Sequence, residues 1–403
     1  MLVTTHYWHP HTGGIETVAA AHARELVDRG WTVNAHTSRA AGSAARDGQA
    51  PRHSAEGALS ITRHRMANPL ERWFNVPVPL PAPGLRRRLM ADARRADIVV
   101  AHGHVYPITV AAARAARAAR RPFVVVQHSP WVEYPWPVEM VERAADRAVG
   151  RRVLEFADLV VCVSAFTEDF VRRIAPRSTT TVITNGVDTD RFVLPRSTSP
   201  SGSSEPSCSP ALDTSDVSSS VDSAPVRFVA VRRLVPRTGV DVLVEAWRRA
   251  DLGSNAELII AGAGPARDEL EHSAAGLAGI RFVGRVDDDE VVRLMQTADA
   301  TVVPTRSGEG FGLVAAESHA CGTPVIATDQ GALGEVIRDG VDGVLVPPND
   351  PVALAATLTR FVADDVLRER LAVGARTTDW SWNRVGDQID SVLRGLVGAD
   401  GSE

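Results

Sequence analysis

Apolar residues along this chain gather in short continuous runs rather than in an alternating or heptad pattern. In the first half the runs are IVVAHGH (98–104), FVVVQH (123–128), LVVCVS (159–164) and TVITN (181–185). They are β-branched and bounded by polar residues or proline, which predicts strands buried on both faces of a parallel sheet. Ala/Arg-rich stretches such as TVAAARAARAAR (109–120) lie between them and read as helices. The second half repeats the theme with RFVAV (227–231), ELIIAG (257–262), IRFVG (280–284), ATVVP (300–304), PVIAT (324–328) and GVLVP (343–347). Repeated strand–helix units predict two doubly wound α/β domains. In a last helical stretch, 380–397, the residues Trp380, Trp382, Val385, Ile389, Val392 and Leu393 form a docking face.

A different composition separates the halves. Residues 194–225 are dominated by Ser, Pro and acidic residues and have almost no apolar content. Such a segment buries too little surface to offset the entropy of ordering, so it reads as a flexible insert. The expected boundaries are a first domain over 1–193, the insert, a second domain over 226–377, and a C-terminal helix and tail over 378–403 returning to the first domain. A chain of 403 residues suits two such domains.

Bulk properties narrow the class. No apolar run reaches the roughly 18 residues needed to span a bilayer. The N-terminal MLVTTHYWHP lacks the layout of a signal peptide, so a cytoplasmic enzyme is expected. Cys162, Cys208 and Cys321 are far apart and form no CxxC pair, which argues against a disulfide scaffold or a cysteine zinc site. All 44 basic residues are arginine; there is no lysine. A cationic contact to phosphate must therefore come from Arg, His or backbone N–H groups. Residues 1–190 carry 24 Arg against 18 acidic residues, and residues 191–403 carry 20 against 31. The basic first half can favour an anionic partner. No nucleic-acid motif is present and aromatic residues are scarce.

The most informative motif is EGFGLVAAE, Glu309–Glu317. It follows the strand run ATVVP, its turn holds Gly308, Gly310 and Gly312, and a helix is predicted from near Leu313. A strand, a glycine turn and a helix start aim N–H groups at an anion, and glycine lets a diphosphate approach the backbone. Glu309 precedes the turn and Glu317 lies over a turn into the helix, so the two acids can meet different parts of one ligand, such as a sugar and a ribose.

Motifs flanking this one, in order, resemble the family 4 glycosyltransferases, retaining enzymes of the GT-B fold. HYWHPHTGGIE supplies Gly13, Gly14 and Glu16; QHSP carries His128 at a strand end; VSAFTEDF and NGVDTDRF close the first half. RRLVPRTGVDVLVEAW (232–247), AGAGP (261–265), FVGRV (282–286), EGFGLVAAE and GTPVIATDQGALGEVI (322–337) follow. The resemblance implies two Rossmann-like domains facing a central cleft. It implies a nucleotide-sugar donor on the second domain, a hydroxyl acceptor on the first, and no metal or redox cofactor. It implies that Arg233 and the backbone N–H groups of Phe311, Gly312 and Leu313 contact the donor diphosphate. Glu309 would hold sugar hydroxyls, Glu317 the ribose, and Val286 would lie near the base. His128 would stand beside the reacting centre, and Gly14 would let the first loop approach the phosphates.

One departure marks this chain. The family pattern is roughly G-R-L-x-x-x-K-G, whereas residues 232–239 read RRLVPRTG. Arg232 stands where the family has Gly, and Thr238 where it has the phosphate-binding Lys. A missing cation weakens support for the leaving group. Arg232 or Arg237 can compensate, or Thr238 can donate one neutral hydrogen bond.

The sequence thus predicts retaining transfer of a hexose from a UDP- or GDP-sugar to a small or lipid-linked hydroxyl acceptor. Rival readings are a catalytically impaired GT-B binding or partner protein, and a sugar-nucleotide epimerase. His102 and His104 end a strand and are tentative acceptor contacts. The stretch 84–97, with Arg86, Arg87, Arg88, Arg94 and Arg95, is either a solvated helix face or a peripheral contact to anionic lipid. Asp188 and Asp190 imitate a DxD metal motif but belong to NGVDTDRF. The run Asp287–Asp289 is expected to start a helix. His6, His9 and His11 lack ligand geometry for a metal.

Overall fold

The computed structural model describes residues 1–9, 13–40, 51–66, 84–130, 136, 138–194 and 224–400. The Ser/Pro/acidic insert lies, apart from its end residues, outside the described residues, as does His11. The described chain forms two α/β sheets. The first holds eight strands in the order β3 (His53–Glu56), β4 (Leu59–Met66), β2 (Val33–Ala40), β1 (Leu2–Thr4), β5 (Val99–His102), β6 (Phe123–Gln127), β7 (Leu159–Cys162) and β8 (Thr180–Val182). Only the β3–β4 pair is antiparallel. Val3 sits in register between Ala35 and Val100. The second sheet is wholly parallel, in the order β11 (Ile280–Gly284), β10 (Ala256–Ala261), β9 (Val226–Val231), β12 (Ala300–Val303), β13 (Val325–Thr328) and β14 (Gly343–Val346).

Most of the apolar runs singled out in the sequence hold inner strands, but TVITN and IRFVG, expected to be buried on both faces, fall on the edge strands β8 and β11, where one side has no neighbouring strand and Val182 and Val283 are exposed. Val124, Val125 and Val126 of β6 are fully buried because helices cover both faces of the sheet. Burying each such side chain stabilises by roughly 1.5–3 kcal/mol against leaving it in water. The β2–β4 flank, which the apolar pattern does not reveal, is built differently. Its buried histidines are paired: His36 Nδ1 lies 2.9 Å from His64 Nε2, and His36 Nε2 lies 2.9 Å from Asp92 Oδ2. Hydrogen bonding of this kind makes burial of polar groups tolerable.

The helix Trp382–Asp400 returns to the first sheet's side of the molecule. Val385, Ile389 and Leu393, four residues apart, are buried along one stripe, with Val392 half-buried beside them. Arg29 clamps the helix through Asn383 O at 2.8 Å and Asp387 Oδ1 at 2.7 Å, and Trp31 Nε1 donates to Asp390 at 2.6 Å. The indole of Trp382 meets His22 edge-on at 5.4 Å. One apolar cluster runs from Val18 and Leu26 through these residues to Phe311, Ala315 and Trp380, so both halves share a core. No described helix is long and apolar enough to cross a membrane.

Candidate active site

In each sheet the winding reverses once: between β1 and β5 in the first, and between β9 and β12 in the second. Crevices at the carboxyl ends of strands flanking such a reversal are where open α/β sheets bind ligands. Both crevices here collect polar side chains, and the two chemistries differ.

The first crevice is lined by histidines. His6 follows β1 and stacks on Tyr106, which follows β5, with ring centroids 4.0 Å apart. The Glu16 carboxylate lies 3.3 Å from His6 Nε2. His102 ends β5, and its Nδ1 lies 2.9 Å from Nε2 of His128, just beyond β6. His22 packs beside His102 at 5.7 Å between centroids, and its ring nitrogens have no hydrogen-bond partner among the described residues. Burial pushes His128 down to about 3, aided by repulsion from His22 and His6 and opposed by Glu16. Burial alone takes His22 to about 4, and burial with repulsion from His128, His22 and His6 takes His102 well below its ordinary value. These imidazoles are therefore neutral at neutral pH. In the His102–His128 pair one ring donates and the other accepts. His104 points elsewhere: its nitrogens lie 2.9 Å from Gln127 Oε1 and 2.9 Å from Asp146 Oδ1. The acceptor role expected of His104 finds no ring nitrogen left to serve it.

Ion pairs and glycines build the second crevice. Arg232, one residue past β9, donates from Nη2 to Thr305 Oγ1 at 2.6 Å and to Glu309 Oε2 at 2.9 Å. Thr305 also donates to Glu309 at 3.2 Å. The Arg232 side chain is only 8% exposed. Its backbone is hemmed in as well, since a Cβ on Gly262 would lie 1.8 Å from the Arg232 carbonyl oxygen. Arg233 is exposed next to it. The helix Leu313–Ala320 starts where the sequence predicts, from Gly312 at φ 96°. Gly312 has no side chain to cap the first N–H groups, so the helix start is open to an anion. Phe311 turns its ring edge-on to Trp380, with centroids 6.1 Å apart. Val286 is half-buried against Val229, Ile259, Ala261 and Leu294. Burial, with Asp288 adding and Arg191 opposing, raises the Glu317 carboxyl to about 8.

Thr238 requires a correction. Its hydroxyl faces two backbone carbonyls, Arg233 O at 2.8 Å and Val235 O at 2.7 Å, inside the short turn Pro236–Thr238. Its single proton is engaged there, which removes the phosphate hydrogen bond expected of it.

The crevices face each other at close range. A Cβ on Gly310 would lie 1.9 Å from the His128 carbonyl oxygen, so only glycine fits. Ser164 donates to Gly310 O at 2.7 Å and Thr167 donates to it at 3.1 Å. Glu335 accepts from the N–H groups of Ala165 at 2.7 Å and Phe166 at 2.8 Å, capping the helix Ala165–Ile174 from across the cleft. A Cβ on Gly14 would come 3.5 Å from Leu313. The structure thus brings Gly14, His128, Gly310 and Leu313 together. Sequence reasoning passed over Ser164, Thr167 and Glu335 as bonding partners. The signal for the first two was the S-x-x-T spacing of a helix start, where Ser164 accepts from Thr167 N at 3.0 Å. Asp287 likewise caps the helix Asp288–Thr297, as its spacing predicts, by accepting from Glu290 N at 2.9 Å.

Comparisons with known proteins agree with this geometry. The family model described as Glycosyltransferase Family 4 matches residues 12–191, and that described as Glycosyl transferases group 1 matches residues 213–378. A phosphatidyl-myo-inositol mannosyltransferase from Mycobacterium leprae is 40% identical over 172 residues, 42% of this chain and 46% of that one. The likeness to that relative thus spans about half of its length. A GDP-mannose-dependent alpha-(1-6)-phosphatidylinositol monomannoside mannosyltransferase from Mycolicibacterium smegmatis is 27% identical, with 98% of each chain covered. Among solved structures, Anabaena Alr3699/HepE in complex with UDP matches with a TM-score of 0.71 at 21% identity, over 98% of this chain and 99% of that one. At that identity the likeness shows the fold.

Proposed function

We propose that this chain, which belongs to the family 4 glycosyltransferases, transfers a hexose from a nucleotide diphosphate sugar to a hydroxyl acceptor with retention at the anomeric carbon. One observation carries the reading. The Glu309–Gly312 loop, with its open helix start, presses against the His128 backbone, so the donor crevice and the histidine crevice share one reaction volume. The diphosphate would lie at the N–H groups of Phe311, Gly312 and Leu313, near Arg233. Glu309 would accept from sugar hydroxyls and Glu317 from the ribose, and Val286 would flank the base. His128, neutral at working pH, can hydrogen-bond the sugar without adding charge. Catalysis then rests on positioning and on electrostatic support for the departing diphosphate. That leaving phosphate takes the acceptor proton on the same face, which gives retention.

GDP-mannose is the first donor to test, because the M. smegmatis relative is named for it. The acceptor reading favours a polyol or lipid-linked hydroxyl. Arg86, Arg87, Arg88, Arg94 and Arg95 are exposed around the helix Leu85–Ala93, while its Leu85 and Leu89 are buried. Contact with an anionic lipid surface would therefore be electrostatic rather than by apolar insertion. The test is a screen of GDP- and UDP-sugars, scored by thermal stabilisation and by nucleoside diphosphate release with inositol-type acceptors, free and in anionic vesicles. Donor-dependent release with an α-configured product from an α-linked donor is the expected result. An inverted product would sink the retaining assignment. Donor binding without turnover on any acceptor would favour a catalytically impaired binding protein.

A further inference from the structure

The chain has no lysine, and the position that resembles the family's phosphate-binding lysine holds Thr238, whose hydroxyl is turned into its own turn. A donor diphosphate in the second crevice, with Arg233 on its exposed side, therefore needs a second cation in the lysine's stead. Arg232 fulfils three conditions for it. It stands between β9 and β12, at the reversal of the sheet, within hydrogen-bond distance of Glu309. Its side chain is more than nine-tenths buried, so its charge acts in a low-dielectric setting, where it is worth more than on the surface. Its hydrogen bonding is incomplete: Nη2 serves Thr305 and Glu309, while the buried Nε has no hydrogen-bond partner among the described residues. A buried donor without an acceptor is destabilising and rare, which marks it as waiting for one. A guanidinium can bond a carboxylate and a phosphate at once through different edges of its planar fork.

We infer that Arg232 supplies the cation for the donor diphosphate that position 238 lacks, holding Thr305 and Glu309 through Nη2 while its Nε–H takes a phosphate oxygen. The inference rests on the sugar-nucleotide reading above. Because Glu309 is assigned to the sugar, and the sugar hangs on the distal phosphate, Arg232 lies nearest that phosphate. Its loss should therefore weaken nucleoside diphosphates more than monophosphates.

The test compares wild type with R232G, R232K, T238K and R232G/T238K by titration calorimetry against GDP, UDP, GMP and UMP, with thermal unfolding as the control for folding. For whichever diphosphate binds wild type, R232G is expected to weaken binding at least tenfold. The matching monophosphate should change less than threefold. Moving the cation back in R232G/T238K should recover most of the loss, and R232K should fall between wild type and R232G. Equal diphosphate binding by wild type and R232G overturns the inference and leaves the sugar-nucleotide reading intact. So does an equal loss for mono- and diphosphates without rescue by T238K. If R232G does not fold, R232K against wild type decides, and unchanged diphosphate preference in R232K overturns the inference. No binding of either diphosphate by wild type overturns the sugar-nucleotide reading, and the inference with it.

Discussion

The two crevices that meet in this protein occupy equivalent places in similar sheets, yet they are made of opposite materials. Around β1, β5 and β6 the chain gathers His6, His22, His102 and His128, stacks His6 on Tyr106 and His102 on His128, and keeps His22, His102 and His128 neutral by burial. Around β9 and β12 it gathers Arg232, Glu309, three glycines and an open helix start. On the proposed function the difference follows from what each would hold. A diphosphate needs cations and bare N–H groups. A hydroxyl about to attack needs hydrogen-bonding groups that bring no net charge. The common fold supplies the two positions, and the side chains supply the division of labour.

The comparison can be broken most severely at Glu309. Glu309→Ala should lower turnover at least about 10²-fold, because a misplaced sugar forfeits near-attack geometry. Initial rates beside an unchanged melting curve would measure this, and full activity would remove Glu309 from the donor site. A smaller effect is expected across the cleft. His128→Ala should cost about tenfold in kcat, the value of roughly one hydrogen bond. Since His128 titrates at about 3, the wild-type rate profile should show no His128 step near pH 6.5.

Stability sharpens the same contrast. His128 and His22 have folded-state values near 3 and 4, below the ordinary 6.5. Below pH 6.5 the unfolded chain takes up protons that the folded chain refuses, so the stability these groups contribute is present above pH 6.5 and lost as pH falls toward 4. Thermal melts from pH 7.5 down to 5 should fall steadily, and His22→Leu should make the slope shallower. An unchanged slope would mean that His22 takes up its proton in the fold as readily as in the unfolded chain.

Glu317 offers a finer test on the donor side. Its carboxyl is raised to about 8, so it is mostly protonated at neutral pH before a donor binds. Ribose hydroxyls donating to it would favour the charged form, so donor binding should release protons and tighten as pH rises through about 8. Calorimetry in buffers of different ionisation heat would read the release, and Glu317→Gln should abolish it. The mildest expected effect is at Glu335, which caps a helix of the opposite domain. Glu335→Ala should raise KM for donor about two- to fivefold, the scale of one cap. Small-angle scattering would register the more open cleft, and an unchanged profile would make the cap incidental.

Much of this protein can be read along the chain. Continuous β-branched runs mark the inner strands β5, β6, β7, β9, β10, β12 and β13 because a sheet covered on both faces admits little else, whereas the edge strands β8 and β11 leave Val182 and Val283 exposed. Gly308, Gly310 and Gly312 after such a run mark the anion turn. The flank β2–β4 escapes that reading. VNAHTSRA and LSITRHRM carry His36, Arg63 and His64 into the interior, and only partners distant in sequence, such as Asp92 and the His9 carbonyl that accepts from Arg63 at 3.0 Å, make those residues tolerable there.

The site divides in the same way. Local sequence determines which residues end strands, where helix Leu313–Ala320 starts, and that Arg is the available cation. These features follow from steric and hydrogen-bonding rules that act over a few residues. Tertiary structure alone decided that His104 is held by Gln127 and Asp146, and that Arg232 grips Glu309 from 77 positions away. It also decided that Gly310 presses on the His128 carbonyl. Each of these depends on which strand ends the folded sheets bring within about 3 Å, the range over which a hydrogen bond forms. Pattern and spacing carry no such distances.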